Sequence, residues 1–178
     1  MILVMVTAGQ EKRMATDRDE HLHDLYVAYY QALVRLAWLL IGDQGEAEDV
    51  AQDAFVRLHR SWDRLRDPSA APAYLRSTVV NLARSGLRRR LVARRHPPTP
   101  FPNAASAEEG AAGREDEREV LAALRALPRR QRECLALRYY LDLSEADIAA
   151  TLGISTGSVK SHSHRGLAAL ASKLEALA

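Results

Sequence analysis

Between Arg95 and Gly113 the chain reads RHPPTPFPNAASAEEGAAG, with four prolines and neither a helical nor a strand period. Proline removes a backbone donor and fixes φ, so no regular helix crosses such a stretch. The 178 residues are thereby divided into two blocks, each of which has to bury an apolar face. Apolar residues recur at helical spacing in both blocks, and no segment sustains strand alternation. The expected fold is all-α: two small helical domains joined by a flexible linker. Residues 1–18 are expected to be a disordered tail, 19–95 the first domain, 96–114 the linker and 115–178 the second domain.

In the first block Leu22, Leu25, Tyr29, Leu33, Leu36 and Leu40 repeat at helical spacing before Gly42 and Gly45 break the chain. A second helix runs to about Trp62, Pro68 and Pro72 bracket a turn, and a third helix spans about Ala73 to Arg90. In the second block EREVLAALRAL stops at Pro128, RRQRECLALRYYL forms another helix, and LSEADIAATLGISTGSVKSHSHRGLAAL reads as two helices around Leu152-Gly153-Ile154. Ser144 with Asp147 resembles a capping box, and Ser155 suits the N-cap of the last helix.

Charge is informative through its distribution, since the net value is only +2. Arg84, Arg88, Arg89, Arg90, Arg94 and Arg95 fall in a run that contains no acid, while Asp43, Glu46, Glu48, Asp49 and Asp53 fall in one that contains no base. The basic run suits phosphates and the acidic one does not. On a helical wheel Ala47, Ala51, Phe55, Leu58 and Trp62 share one side of the second helix, and Asp49, Gln52, Asp53, Val56 and Arg60 the other. That polar side is either a solvated face or a docking face, and its acids also suit the positive end of the helix dipole. On the third helix Leu75, Val79, Leu82 and Gly86 point inward, and Tyr74, Ser77, Asn81, Arg84 and Arg88 form the outward stripe. An aromatic stacks on unpaired bases, an amide reads base edges and arginines hold phosphates. The last helix turns Val159, Ser163, Gly166 and Leu170 inward and Lys160, Ser161, His164, Arg165 and Ala168 outward, a polar face suited to the major groove.

Other chemistries find no residues to carry them. His21 with His23, and His162 with His164, stand two apart, which on a helix turns them about 200° from one another. No Cys/His set has metal-ligand spacing, and there is no Walker loop, G-x-S-x-G or H-E-x-x-H. No cofactor, metal, small-molecule substrate or catalytic residue is expected. The single Cys134 leaves no internal disulfide and fits a reducing compartment. MILVMV is too short for a signal core, and LAWLLI is far below the roughly 20 residues that span a bilayer, so a cytoplasmic protein without membrane insertion is expected.

Together these blocks resemble a bacterial RNA polymerase sigma factor of the extracytoplasmic-function (ECF) type, over about residues 20–95 and 115–175. DVAQDAFVRLHRSW is similar to region 2.2, AYLRSTVVNLARSGLRRR to regions 2.3 and 2.4, and the segment from Ala126 to Leu170 to region 4. The usage of three lysines against 22 arginines resembles the actinobacterial SigE-like group. The resemblance implies that Asp49, Gln52, Asp53 and Val56 bind core polymerase at the β′ clamp helices. It implies that Tyr74, Ser77, Asn81, Arg84, Arg88 and Arg89 read and melt the −10 element, with Asn81 holding a flipped base. Thr156, Ser158, Lys160, Ser161, His164 and Arg165 would then read the −35 element, with the β flap and an anti-sigma factor as further partners. Ser85 stands where many members carry an acid, and His164 where a bulkier apolar or aromatic residue is frequent, so no promoter sequence is implied. The rival reading, a helix-turn-helix repressor or activator acting apart from polymerase, gives no role to the acidic face, the Asn81 stripe or the linker.

Overall fold

A computed structural model describes residues 2–65, 67–95 and 115–176, with side chains described over 18–65, 67–88 and 119–176. The expected linker, 96–114, lies outside these. Among the described residues there are seven α-helices and no strand: α1 (Ile2–Ile41), α2 (Gln44–Ser61), α3 (Ala71–Arg95), α4 (Glu115–Arg125), α5 (Arg129–Leu135), α6 (Glu145–Leu152) and α7 (Thr156–Glu175). The backbone of α1 is helical from Ile2, where a disordered tail was expected. From Gln10 to Leu25 the sequence holds no proline or glycine and is rich in helix formers, so nothing local stops the helix from extending.

Chain breaks fall where the backbone chemistry demands them. Gly42 closes α1 at φ +87°, a left-handed conformation that a side chain strains, and the Asp43 carboxylate then accepts from the Glu46 amide at 2.8 Å to start α2. After α2, one 3-10 turn follows at once over Trp62–Arg64; a second, over Pro68–Ala70 with Asp67 as its cap, leads into α3. The helix predicted across RRQRECLALRYYL is α only to Leu135 and widens into a π turn over Ala136–Tyr140. It is closed by Asp142 at φ 49°, a conformation aspartate tolerates better than most residues.

The first three helices bury Leu33, Leu36, Ala37 and Leu40 of α1 against Ala47, Ala51, Ala54 and Leu58 of α2 and Leu75, Val79, Val80 and Ala83 of α3. Alanines at that spacing let α2 lie close to its neighbours. Leu36, Leu58 and Leu75 are fully buried, and truncating any of them to alanine costs about 2–5 kcal/mol. Tyr29, grouped with the apolar repeat by its spacing, is instead 37% exposed. In the second half Cys134, Leu137, Ile148, Leu152 and Val159 form the equivalent core. The two halves do not stand apart: α1 packs on α4 and on the π turn, α3 packs on α6, and one hydrophobic cluster runs through both.

The helix-turn-helix has two glycines with different duties. Gly153 ends α6 at φ +65° with open space where a Cβ would stand. Gly166 on α7 faces Leu135 and Gln131, whose atoms would lie 3.1–3.2 Å from an added Cβ. Gly153→Ala is expected to cost about 1–2 kcal/mol through the backbone alone, and Gly153→Asn less. Gly166→Val should cost about 1–3 kcal/mol by overpacking. Urea unfolding of the three variants checks this; equal costs for the two Gly153 substitutions would remove the backbone explanation.

Candidate nucleic-acid and polymerase interfaces

Three surfaces carry the residues singled out by the sequence. On α2 the turns that bury Ala47, Val50, Ala51, Ala54 and Leu58 leave Asp49, Gln52, Asp53 and Val56 exposed on the opposite side. Neither Asp49 nor Asp53 has an ion-pair partner among the described residues. Val56, 46% exposed, also borders an open groove of about 520 Å³ between α1 and α2, lined by Leu22, Tyr26 and Phe55 with His23 and His59 at its edge. The acidic face thus continues into an apolar one, a mixed surface of the kind that a partner helix covers.

Along α3 the stripe is less uniform than the sequence suggested. Asn81 and Arg88 are exposed. Tyr74 is half-buried against the core, and its hydroxyl lies 3.3 Å from the Ser61 hydroxyl, so most of its ring serves packing. Ser77 is also half-buried, and the Arg89 side chain lies outside the described residues. Arg84 differs most from expectation. Its Nε and Nη2 donate to the two carboxylate oxygens of Glu133 on α5 at 2.7 and 2.8 Å, and its Nη1 donates to Asn81 Oδ1 at 3.1 Å. Glu133 is 2% exposed, and Arg130 Nη1 (3.2 Å) and Arg129 Nε (3.7 Å) approach the same carboxylate. In this arrangement the guanidinium expected to hold promoter phosphate already holds an anion from the other half of the chain. Sequence reasoning passed over Glu133. Its signal was an acid four residues before the core Leu137, and so on the inward face of α5.

Trp38 of α1 makes a second polar contact between the halves, with guanidinium carbons at 4.7 Å (Arg35) and 4.6 Å (Arg125 of α4) from its ring. Nε and Nη2 of Arg125 are buried without a hydrogen-bond partner among the described residues, and burial lowers its pKa.

The third surface is α7. Ser155 caps it by accepting from the Ser158 amide at 3.1 Å, while the Ser158 hydroxyl lies 2.9 Å from that of Ser155. Ser158 therefore belongs to the cap more than to the outer face. Thr156, Lys160, Ser161, His164 and Arg165 are exposed, and Val159, Ser163 and Gly166 are buried. Glu145, in the first turn of α6, joins this surface: it accepts from Arg138 Nη1 at 3.0 Å and lies 3.6 Å from Lys160 Nζ. The Arg138 hydrogen bond, and then Lys160, hold its carboxyl below the usual range. That contribution is present above the ordinary carboxylate range and is lost as pH falls through the lowered value.

Among the described residues no cluster of three or more His, Cys, Asp or Glu is placed to hold a metal, and no helix is long and apolar enough to cross a membrane. The Cys134 thiol is pushed up to about 11, first by burial and then by Glu133 beside it, so at neutral pH it is protonated and a poor nucleophile.

Comparison with known proteins finds two family matches in chain order: residues 25–91 match "Sigma-70 region 2" and residues 117–170 match "Sigma-70, region 4". The RNA polymerase sigma-E factor of Streptomyces avermitilis is 35% identical over 144 residues, covering 81% of this chain and 79% of that one. The ECF RNA polymerase sigma factor SigM of Mycobacterium tuberculosis is 33% identical over 147 residues, covering 83% of this chain and 74% of the relative. Among solved structures, the sigma factor RpoE in complex with the anti-sigma factor NepR from Bartonella quintana superposes with a TM-score of 0.72 at 25% identity, covering 86% and 96% of the two chains.

If Glu145 restrains Lys160, Glu145→Gln should free that ammonium for DNA phosphate. The slope of log K against log salt for duplex DNA should then steepen by about 0.9. Titrations at several salt concentrations check this, and an unchanged slope would assign Glu145 to folding alone.

Proposed function

The chain belongs to the RNA polymerase sigma factors of the extracytoplasmic-function type, and on that premise we propose how its surfaces divide the work. Such a protein binds core RNA polymerase and directs promoter-specific initiation; it is a regulatory DNA-binding subunit. We assign it a cytoplasmic location and no catalytic activity of its own. Residues 19–95 are the polymerase-binding and −10 domain, 96–114 the tether, and 115–178 the −35 domain.

Asp49, Gln52, Asp53 and Val56 dock on the β′ clamp helices. Their exposure on the side of α2 opposite its core, with the apolar groove alongside, supports this role. Asn81 and Arg88 face the −10 element. Arg84 joins them once it leaves Glu133, Tyr74 and Ser77 contribute from half-buried positions, and Arg89 is assigned to the same role from the sequence. On α7, Lys160, Ser161, His164 and Arg165 read the −35 element, with Thr156 and Ser158 near phosphate at the helix N-terminus, where backbone amides favour anions. The β flap engages the second domain. An anti-sigma factor is a fitting inhibitor, since RpoE of Bartonella quintana is held by one.

The observation that carries the reading is order. The region 2 match precedes the region 4 match, and the acidic face, basic stripe and capped recognition helix fall inside the expected one of the two. Geometry then demands movement. Elements named −10 and −35 are separated by about 25 base pairs, or about 85 Å of duplex at 3.4 Å per pair. Even α1, the longest element, spans only about 60 Å at 1.5 Å per residue. The halves must part for both elements to be held, with each domain gaining local concentration from polymerase.

The direct test adds the protein to core polymerase and scores promoter-specific transcription; none from any promoter selected with the holoenzyme would refute the assignment. Asp49→Arg with Asp53→Arg is expected to abolish core binding with the helical circular dichroism unchanged, because both sites lie away from the core. Retention of core enzyme by the double variant in a pull-down would sink that contact. Asn81→Ala should reduce promoter melting, read as permanganate reactivity, by about tenfold, as for loss of one charge-free base contact of about 1–3 kcal/mol. Initial duplex binding should change little. Undiminished melting would take Asn81 out of the −10 site.

A further inference from the structure

We infer that Glu133 is a built-in phosphate surrogate: its carboxylate occupies Arg84, the residue bonded to Asn81, and so keeps part of the −10 surface engaged until nucleic acid or polymerase displaces it. The inference rests on α3 being the −10 surface and names what regulates that surface.

A guanidinium meets a carboxylate or a phosphate with the same two-pronged geometry. Here both prongs of Arg84 are taken, at 2.7 and 2.8 Å, and its remaining terminal nitrogen is bonded to Asn81 Oδ1. Two residues proposed to act on DNA are thus tied to one acid that belongs to the opposite domain. Glu133 is placed for this by its own half. Arg130 bridges it to the Leu152 carbonyl at the end of α6 (3.4 Å), which fixes the carboxylate relative to the helix-turn-helix. When Arg84 departs, Arg130 and Arg129 remain beside Glu133, so opening does not strand a bare buried charge. On the other side Arg84 is 18% exposed, within reach of solvent anions. The Trp38 contact adds to the closed state without sealing it, because Arg125 is buried there with two donors unmet. Water or a new acceptor gains by entering, so the closed state is held by contacts that can be exchanged.

The test is an anisotropy titration of the full chain with a fluorescein-labelled, single-stranded 20-nucleotide DNA of mixed sequence. Variants are Glu133→Gln, Glu133→Ala, Glu133→Asp and Glu133→Gln with Arg84→Ala, each checked for helicity. Neutralising Glu133 should tighten binding about tenfold, as expected when a minor open state becomes the major one. The Asp variant, which keeps the charge, should stay near the unaltered protein. The gain should vanish when Arg84 is also removed. A Trp62→Phe protein, whose remaining indole is Trp38, supplies a second check: DNA binding should shift its emission as Arg125 leaves the Trp38 ring. Glu133→Gln and Glu133→Ala binding no better than the original, or DNA binding without an emission change, overturns the inference. The underlying reading fails differently. If Asn81→Ala and Arg88→Ala leave binding of the Glu133→Gln protein unaltered, α3 is not the nucleic-acid surface at all.

Discussion

A carboxylate at 2% exposure has to be neutralised, and for Glu133 much of that neutralisation comes from the other end of the chain. Removing a carboxylate from water costs several kcal/mol even after relaxation, and its partners return about that much when the geometry is good. The Arg84–Glu133 pair therefore adds little net stability. What it fixes is which surfaces meet: α3 lies against the second half in the one register that lets the guanidinium reach the acid. A hydrophobic contact of the same area would hold more firmly and specify less. The Trp38 contact has the same character, a ring between two cations, one of them incompletely hydrogen-bonded.

For a sigma factor this balance has a use. Each half has its own buried centre, α1, α2 and α3 around Leu36, Leu58 and Leu75 and the later helices around Leu137, Ile148 and Val159, and one apolar cluster joins the two. Parting them would release the Arg84–Glu133 and Trp38 contacts and would also expose apolar surface where the halves meet. The acidic face of α2 and the outer face of α7 are already exposed in the packed form. The residues proposed for polymerase docking and −35 reading are thus on the surface from the start, while the stripe proposed for the −10 element is partly engaged.

Much of this was legible in the sequence because helical periodicity reports burial directly. The apolar side of α2, the inward Leu75, Val79 and Gly86 of α3, and Val159, Ser163 and Gly166 of α7 fall where spacing puts them, as do the caps at Ser144 and Ser155. Other features lay beyond periodicity for identifiable reasons. Arg84 and Glu133 are 49 residues apart, so no local spacing pairs them even though Glu133 falls on the inward side of α5. Tyr29 keeps the apolar spacing but stands at 37% exposure, since a phenol is content at a wet edge. Ser158 follows the N-cap Ser155 by three residues, and its hydroxyl lies 2.9 Å from that of Ser155, a local pairing that apolar periodicity does not report.

The central claim is that one chain has a packed state set in register by a polar contact and an extended state on polymerase. Spin labels at exposed positions of the two halves, through Asp63→Cys and Ser172→Cys, read this directly by pulsed dipolar spectroscopy, with the buried and protonated Cys134 left unlabelled. The account predicts a single short, narrow distance distribution in the free protein and a much longer one in the complex with core polymerase and promoter DNA. An identical distribution in the free protein and in a transcriptionally active complex would contradict it.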